Sequence, residues 1–226
     1  TAKVVSHDET RIVLTGVLVS CVGSTLKMVA TDSYRLAVSE TELDSPCPEE
    51  FEAVIAGSFL QDIASLPQSE DPITIALNDN QIVVTYRDTT FINRRIEGTF
   101  PNYKQLIAEG HSTRATLSTH ALTDAVRRVS LLSNKVSPVQ VRVDAESGVV
   151  TLLTNSQDIG NAQENLICEV DGESVDIAFN FTFMLDGLNS IDTDAVHLDL
   201  FGPMKPGILR AAEGENFLYL IMPVRV

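Results

Sequence analysis

The residues best suited by type to do chemistry stand together in the stretch VATDSYRLAV: Thr31, Asp32, Ser33, Tyr34 and Arg35. A hydroxyl beside a carboxylate, a phenol and a guanidinium is raw material for a hydrolase or transferase. The spacing argues for something plainer. No histidine is adjacent, and no G-x-S-x-G elbow leads into Ser33. Asp and Ser at the end of an apolar run bond the local backbone and make turns. A turn is the preferred reading, with an enzyme built on Asp32, Ser33 and Tyr34 as its rival.

Other reactive residues are scattered. Cys21, Cys47 and Cys168 include no CxxC pair, and His7, His111, His120 and His197 show neither HExxH nor HxH spacing. An odd number of distant cysteines argues against a disulfide framework and for a reducing compartment. The acidic pairs Glu49-Glu50, Glu70-Asp71 and Asp192-Asp194 fall at element ends, where solvated surface is their ordinary role. No G-x-G-x-x-G or GxxxxGK[ST] occurs. The expectation is no metal, no cofactor and no catalytic residue.

These side chains must be positioned by a folded body. Of 226 residues, 44% are hydrophobic, enough for a substantial core. No apolar run reaches the roughly 18 residues of a membrane span, and the N-terminus lacks the pattern of a signal peptide. Thr1 stands where a start methionine would, so a processed or truncated piece is expected. The net charge of −15 disfavours nucleic-acid binding over the surface as a whole, leaving room only for a local basic face.

The chain repeats itself. EDPITIAL (70–77) resembles TDAVHLDL (193–200), and TLKMVATD (25–32) resembles GVVTLLTN (148–155) at the same offset. SFLQDIASL (58–66) echoes TFMLDGLNSI (182–191). A period this long predicts two duplicated domains, 1–109 and 110–226, joined near Ala108 to Arg114. Each reads as mixed helix and antiparallel strand. Val175, Ile177 and Phe179 alternate on a strand; Asn180 then caps a helix carrying Phe183, Met184, Gly187, Leu188 and Ile191. Val196, Leu198 and Phe201 mark another strand. Thr119 is the expected cap of a helix whose buried stripe is Leu122, Val126, Val129 and Leu132, with Arg127 and Arg128 off it. In the first copy FEAVIAG is a strand, and NDN turns a hairpin. The equivalent of that copy's first strand and most of its first helix is missing.

The chain ends on FLYLIMPVRV, apolar to its last residue. Leaving it in water would cost about 25 cal/mol per Å², so it must pack or form a groove. Pro223 cannot donate to a ladder and suits a sheet edge.

Three blocks, ATDSYRLAV, FPNYKQL and YLIMPVRV, together with the duplication, resemble the bacterial DNA polymerase III beta subunits, the sliding clamps of the replicative polymerase. The likeness runs over essentially the whole chain and covers the middle and last of the family's three domains. It implies an α+β fold of duplicated DNA-clamp (processivity-fold) domains, with antiparallel sheets outside and helices on the inner face. It implies a non-enzymatic processivity factor in the bacterial cytoplasm. Two full-length copies would close a ring around duplex DNA without reading its sequence, whereas this piece alone would not close.

The resemblance also implies a peptide-binding pocket where the two domains meet. Carried over position by position, it comprises Leu14, Thr31, Ser33, Tyr34, Arg35, Leu36, Pro101, Gln105, Leu106, Met204, Pro206, Leu220, Ile221, Met222, Pro223, Val224 and Arg225. The polymerase alpha subunit, clamp loader, ligase and mismatch-repair proteins would compete for it. Val224, Val226 and the Ser33-Tyr34 pair depart from common family choices. His7, Arg127, Arg128 and Lys135 are the expected DNA-facing residues, with Asp8 an acidic neighbour of His7. A duplicated scaffold for some other linear motif is a third reading.

Overall fold

Alternation of apolar and polar residues is the dominant pattern, and the chain folds mostly into strands. The computed structural model describes residues 1–133, 138–156, 160–214 and 216–225. They form two units, Thr1–Asn102 and Tyr103–Val226. The division falls ahead of the expected 109/110 boundary, because the short 3-10 helix Tyr103–Leu106, which buries Tyr103, groups with the second unit.

The first unit opens with two 3-10 segments, Ala2–Val4 and Glu9–Thr15, in place of a regular helix. Then come β1 (Gly16–Val22), β2 (Thr25–Thr31), β3 (Arg35–Glu42), β4 (Phe51–Ala56), helix α1 (Gly57–Ala64), β5 (Ile73–Leu77), β6 (Gln81–Tyr86) and β7 (Thr89–Ile96). The strand order is β3-β2-β1-β4-β7-β6-β5, antiparallel throughout. The NDN turn forms as expected: the Asn78 side-chain oxygen accepts from the Asn80 and Gln81 amides at 3.1 and 2.7 Å.

The second unit contains β8 (Thr113–Ser118), α2 (Thr119–Ser130), β9 (Val139–Asp144), β10 (Val149–Ser156), β11 (Gly160–Ile167) and β12 (Glu169–Gly172). It continues with β13 (Val175–Phe179), α3 (Phe181–Leu188), β14 (Ala195–Leu200), β15 (Gly207–Ala211) and β16 (Phe217–Ile221). One sheet runs β11-β10-β9-β13 and another β12-β8-β14-β15-β16. Helices α2 and α3 pack on each other; α2 touches β8 to β11 and α3 touches β16.

The duplication is visible in the pairing. β1 takes β2 and β4 as partners, as β9 takes β10 and β13. Hairpin β5-β6-β7 corresponds to β14-β15-β16. Strand β8 and helix α2 have no regular counterpart among the described residues of the first unit.

Asn180 caps α3 as expected, its side chain accepting from the Thr182 amide at 2.8 Å. Helix α2 is capped one residue earlier than expected: Ser118, not Thr119, accepts from the Ala121 amide, at 3.3 Å. Ser118 ends β8 in extended conformation, which is the backbone geometry a cap requires, while Thr119 is already helical. Leu122, Val126 and Val129 are fully buried, and Leu132 lies past the helix end. Gly187 lets α3 approach β16: a Cβ there would stand 2.5 Å from the Tyr219 ring. Among the described residues no helix is long and apolar enough to cross a membrane.

Candidate functional site

The polar run from Thr31 to Arg35 makes the turn between β2 and β3. The Asp32 carboxylate accepts from the Tyr34 and Arg35 amides at 2.9 and 3.0 Å and from Arg35 Nε at 2.9 Å. Thr31 Oγ1 donates to the Arg35 carbonyl at 2.7 Å and accepts from the Ser33 amide at 3.1 Å. Ser33 has φ 81°, a left-handed conformation that costs a side-chain-bearing residue energy. Its hydroxyl accepts from Arg11 at 2.9 Å. Asp32 and Thr31 are thus committed to holding a turn, and a cation occupies the Ser33 hydroxyl. A serine nucleophile needs a base there instead.

Arg11, unmarked by any motif, gathers this corner. Its guanidinium also reaches Asp8 at 3.1 Å and Ser6 at 3.3 Å, tying the segment that carries Leu14 to the 31–35 loop. Asp8 caps that segment; its carboxyl is held below the usual range chiefly by the Thr10 hydroxyl and amide, then by Arg11. Leu14, Thr31 and Leu36 are buried, Arg35 is half-buried, and Ser33, Tyr34 and Pro101 are exposed. Tyr34 is a large aromatic left 62% in solvent.

In the second unit a cavity of about 660 Å³ opens on the outward face of β9, β10 and β13. Gln140 and Arg142 alternate outward on β9; Leu153 pairs with Gln140, and Asp176 with Arg142. Arg142 Nε donates to Asp176 at 2.8 Å, which raises the guanidinium pKa and keeps one end of the cavity charged but paired. Pro203 and Met204 form one wall, Val224 and Arg225 another. The tail is fixed by the Val224 amide, which donates to the Ala178 carbonyl at 2.8 Å. Pro223, lacking an amide hydrogen, precedes that bond at the free side of β13, as an edge residue should.

Three residues expected in a pocket, Met204, Val224 and Arg225, therefore meet in one cavity. Met222, Gln105 and Leu106 are exposed but do not line it, and Pro206 is half-buried. Leu220 and Ile221 are both 1% exposed on β16. Sequence reasoning missed Gln140, Arg142, Leu153, Asp176 and Pro203. Alternation on β9 shows that 140 and 142 face outward, but not what faces them.

The expected DNA-facing residues are partly placed. His7 is exposed in the loop between the 3-10 segments. Arg127 and Arg128 are exposed on α2, away from its buried stripe. Both are engaged: Arg127 donates to Asn189 at 2.9 Å, and Arg128 forks onto Glu164 at 2.7 and 2.8 Å. That fork holds the Glu164 carboxyl below its usual range and raises the Arg128 pKa. Lys135 and Val226 lie outside the described residues.

Solved structures define the class: the fold is that of the DNA polymerase sliding clamps. It superposes on the DNA polymerase sliding clamp from Bacillus subtilis with TM-score 0.96 at 29% identity, covering 100% of this chain and 60% of that one. For a DNA polymerase III beta chain from Streptococcus pneumoniae the TM-score is 0.93 at 29% identity, over 100% and 61%. Family profiles match residues 1–102 as the DNA polymerase III beta subunit, central domain, and 104–225 as its C-terminal domain. The chain belongs to the DNA polymerase III beta subunit family. The beta sliding clamps of Synechocystis sp. and Staphylococcus aureus are each 33% identical over 98% of this chain. The chain spans about 60% of their length, 60% and 59% respectively.

Proposed function

We propose that the protein acts as a sliding clamp, a non-catalytic processivity factor of the bacterial replicative DNA polymerase, working in the cytoplasm. In this reading it forms part of a homodimeric ring around duplex DNA and docks linear motifs of the polymerase alpha subunit, the clamp loader and repair proteins. The observation that carries the reading is the cavity at Met204 and Val224, a concave apolar surface with few polar groups at its rim. Methionine at 204 and 222 suits a surface that re-packs around several partners. The first-unit set Leu14, Thr31, Ser33, Tyr34, Arg35, Leu36 and Pro101 is proposed to add interactions of its own, as are Gln105, Leu106 and Met222. His7, Arg127, Arg128 and Lys135 are proposed to face phosphates.

A short peptide with a glutamine followed by large apolar side chains, of the QLxLF type, tests this by fluorescence titration. Met204→Ala and Met222→Ala should each weaken binding by about 1–2 kcal/mol, roughly five- to thirtyfold. Unchanged affinity in both variants removes the pocket assignment.

A further inference from the structure

The three cysteines are not equivalent, and two of them share one backbone carbonyl, Cys21 through its thiol and Cys47 through its amide. Cys21, on β1 near the turn into β2, is 1% exposed, and its sulfur lies 4.0 Å from the Gly23 carbonyl oxygen. Cys47, half-buried in the loop between β3 and β4, donates its amide to the same oxygen at 2.9 Å. That loop is pinned a second time where the Leu43 amide donates to the Ser24 carbonyl at 2.8 Å. The Cys47 thiol itself donates to the Glu49 carbonyl at 2.8 Å, and it is the shared Gly23 oxygen that brings the two cysteines side by side.

The duplication supplies an internal comparison. Cys168 holds the corresponding turn of the second unit in the same way, its amide donating to the Gly148 carbonyl at 2.9 Å. The residue matching Cys21 is Val143: each pairs with the second residue of the following strand, Leu26 and Val150. So the loop-to-turn anchor occurs twice, but only the first unit has a thiol on the strand beneath it.

We propose that Cys21 and Cys47 are a redox pair that closes to a reversible disulfide when a low-molecular-weight disulfide, such as oxidised glutathione, reaches the protein. Cys47, the more accessible sulfur, loses its proton to solvent and attacks one sulfur of oxidised glutathione. That S–S bond breaks, one glutathione leaves as thiolate and is protonated, and Cys47 carries the mixed disulfide. Cys21 then gives its proton to solvent, attacks the Cys47 sulfur and expels the second glutathione. Two protein thiols are oxidised and one small disulfide is reduced to two thiols. Burial, with the Cys47 thiol and Glu50 beside it, pushes the Cys21 thiol up to about 11. The closing step is therefore slow at neutral pH and quickens as pH rises. The product staples the 43–50 loop to the β1–β2 turn; a reducing glutathione pool keeps it open.

The test treats the protein with oxidised glutathione at neutral and raised pH, then maps thiols by mass spectrometry of the intact chain and its peptides. The expected product is a Cys21–Cys47 cross-linked peptide, a loss of two hydrogens at that pair, and recovery of both thiols with dithiothreitol. Cys168 should remain free or carry glutathione, without an internal partner. Cys21→Val, which copies the second unit, should halt at a stable glutathione adduct on Cys47. A stable adduct on Cys47 in the unaltered protein, a Cys47–Cys168 link, or no change at Cys47 would each overturn the proposal.

Discussion

Asp32 shows how residue type can mislead. A carboxylate two positions from a tyrosine and next to a serine looks like machinery, yet each of its described bonds closes a turn. His197 is the histidine whose surroundings matter most. It sits on β14 with Thr116 Oγ1 2.9 Å away and is paired in register with Arg210. Nearby, buried Asp199 accepts from Arg114 at 2.6 and 2.8 Å and from Arg210 at 3.3 Å. Burial lowers the His197 pKa first, and the positive charge of Arg114 adds to it; Asp199 pulls the other way and His111 lowers it further. Unfolding returns the ring to its ordinary value, so on acidification the unfolded chain takes the proton first. The stabilisation is whole above about pH 6.5 and is lost as pH falls toward the folded value. Melting temperature should decline over that window, and His197→Gln should flatten the decline. An identical profile in the variant would exclude His197 as its source.

At the scale of elements, the two copies of one hairpin experience different surroundings. Ile73 and Ile75 on β5 are 49% and 38% exposed; their repeat counterparts Val196 and Leu198 on β14 are 0% and 1%. β14 lies between β8 and β15, whereas β5 pairs only with β6 among the described strands. The same apolar spacing therefore carries unequal energy. Leu198→Ala, which leaves a cavity in a closed core, should cost about 2–5 kcal/mol in chemical denaturation. Ile75→Ala should cost less than about 1 kcal/mol, since water already reaches that side chain. Equal costs would mean that β5 is covered in solution.

For the molecule as a whole, the surplus of acids opposes casual DNA binding, which would suit the proposed clamp, held on DNA by topology instead of affinity. Arg127 and Arg128, proposed to face phosphates, already give donors to Asn189 and Glu164. Association of the open chain with duplex DNA should accordingly be weak and steeply salt-dependent. Removing both arginines should lower the slope of log K against log salt by about 0.9 for every phosphate they neutralise. Fluorescence anisotropy across a salt series reads that slope; no change on Arg127→Ala with Arg128→Ala would remove these residues from the DNA face.

Much of this was legible in the chain alone. Apolar periodicity and the internal repeat determined two similar α+β units, the Asn180 cap, the NDN hairpin and the family resemblance, because these depend on neighbours a few residues apart or on the pattern itself. The pattern places the cap of α2 one residue late, since Ser118 and Thr119 are equally good cap residues and only the backbone angles separate them. That Leu220 and Ile221 are both buried is visible only on β16, because an apolar tail does not announce which face is inward. Tertiary structure alone decided that Met204 and Val224 meet Gln140 and Leu153, that Arg11 reaches Ser33, that Glu164 holds Arg128 and that Cys47 shares the Gly23 carbonyl with Cys21. Each of these joins residues distant along the chain, and such meetings follow from strand register and loop path, which no local spacing records.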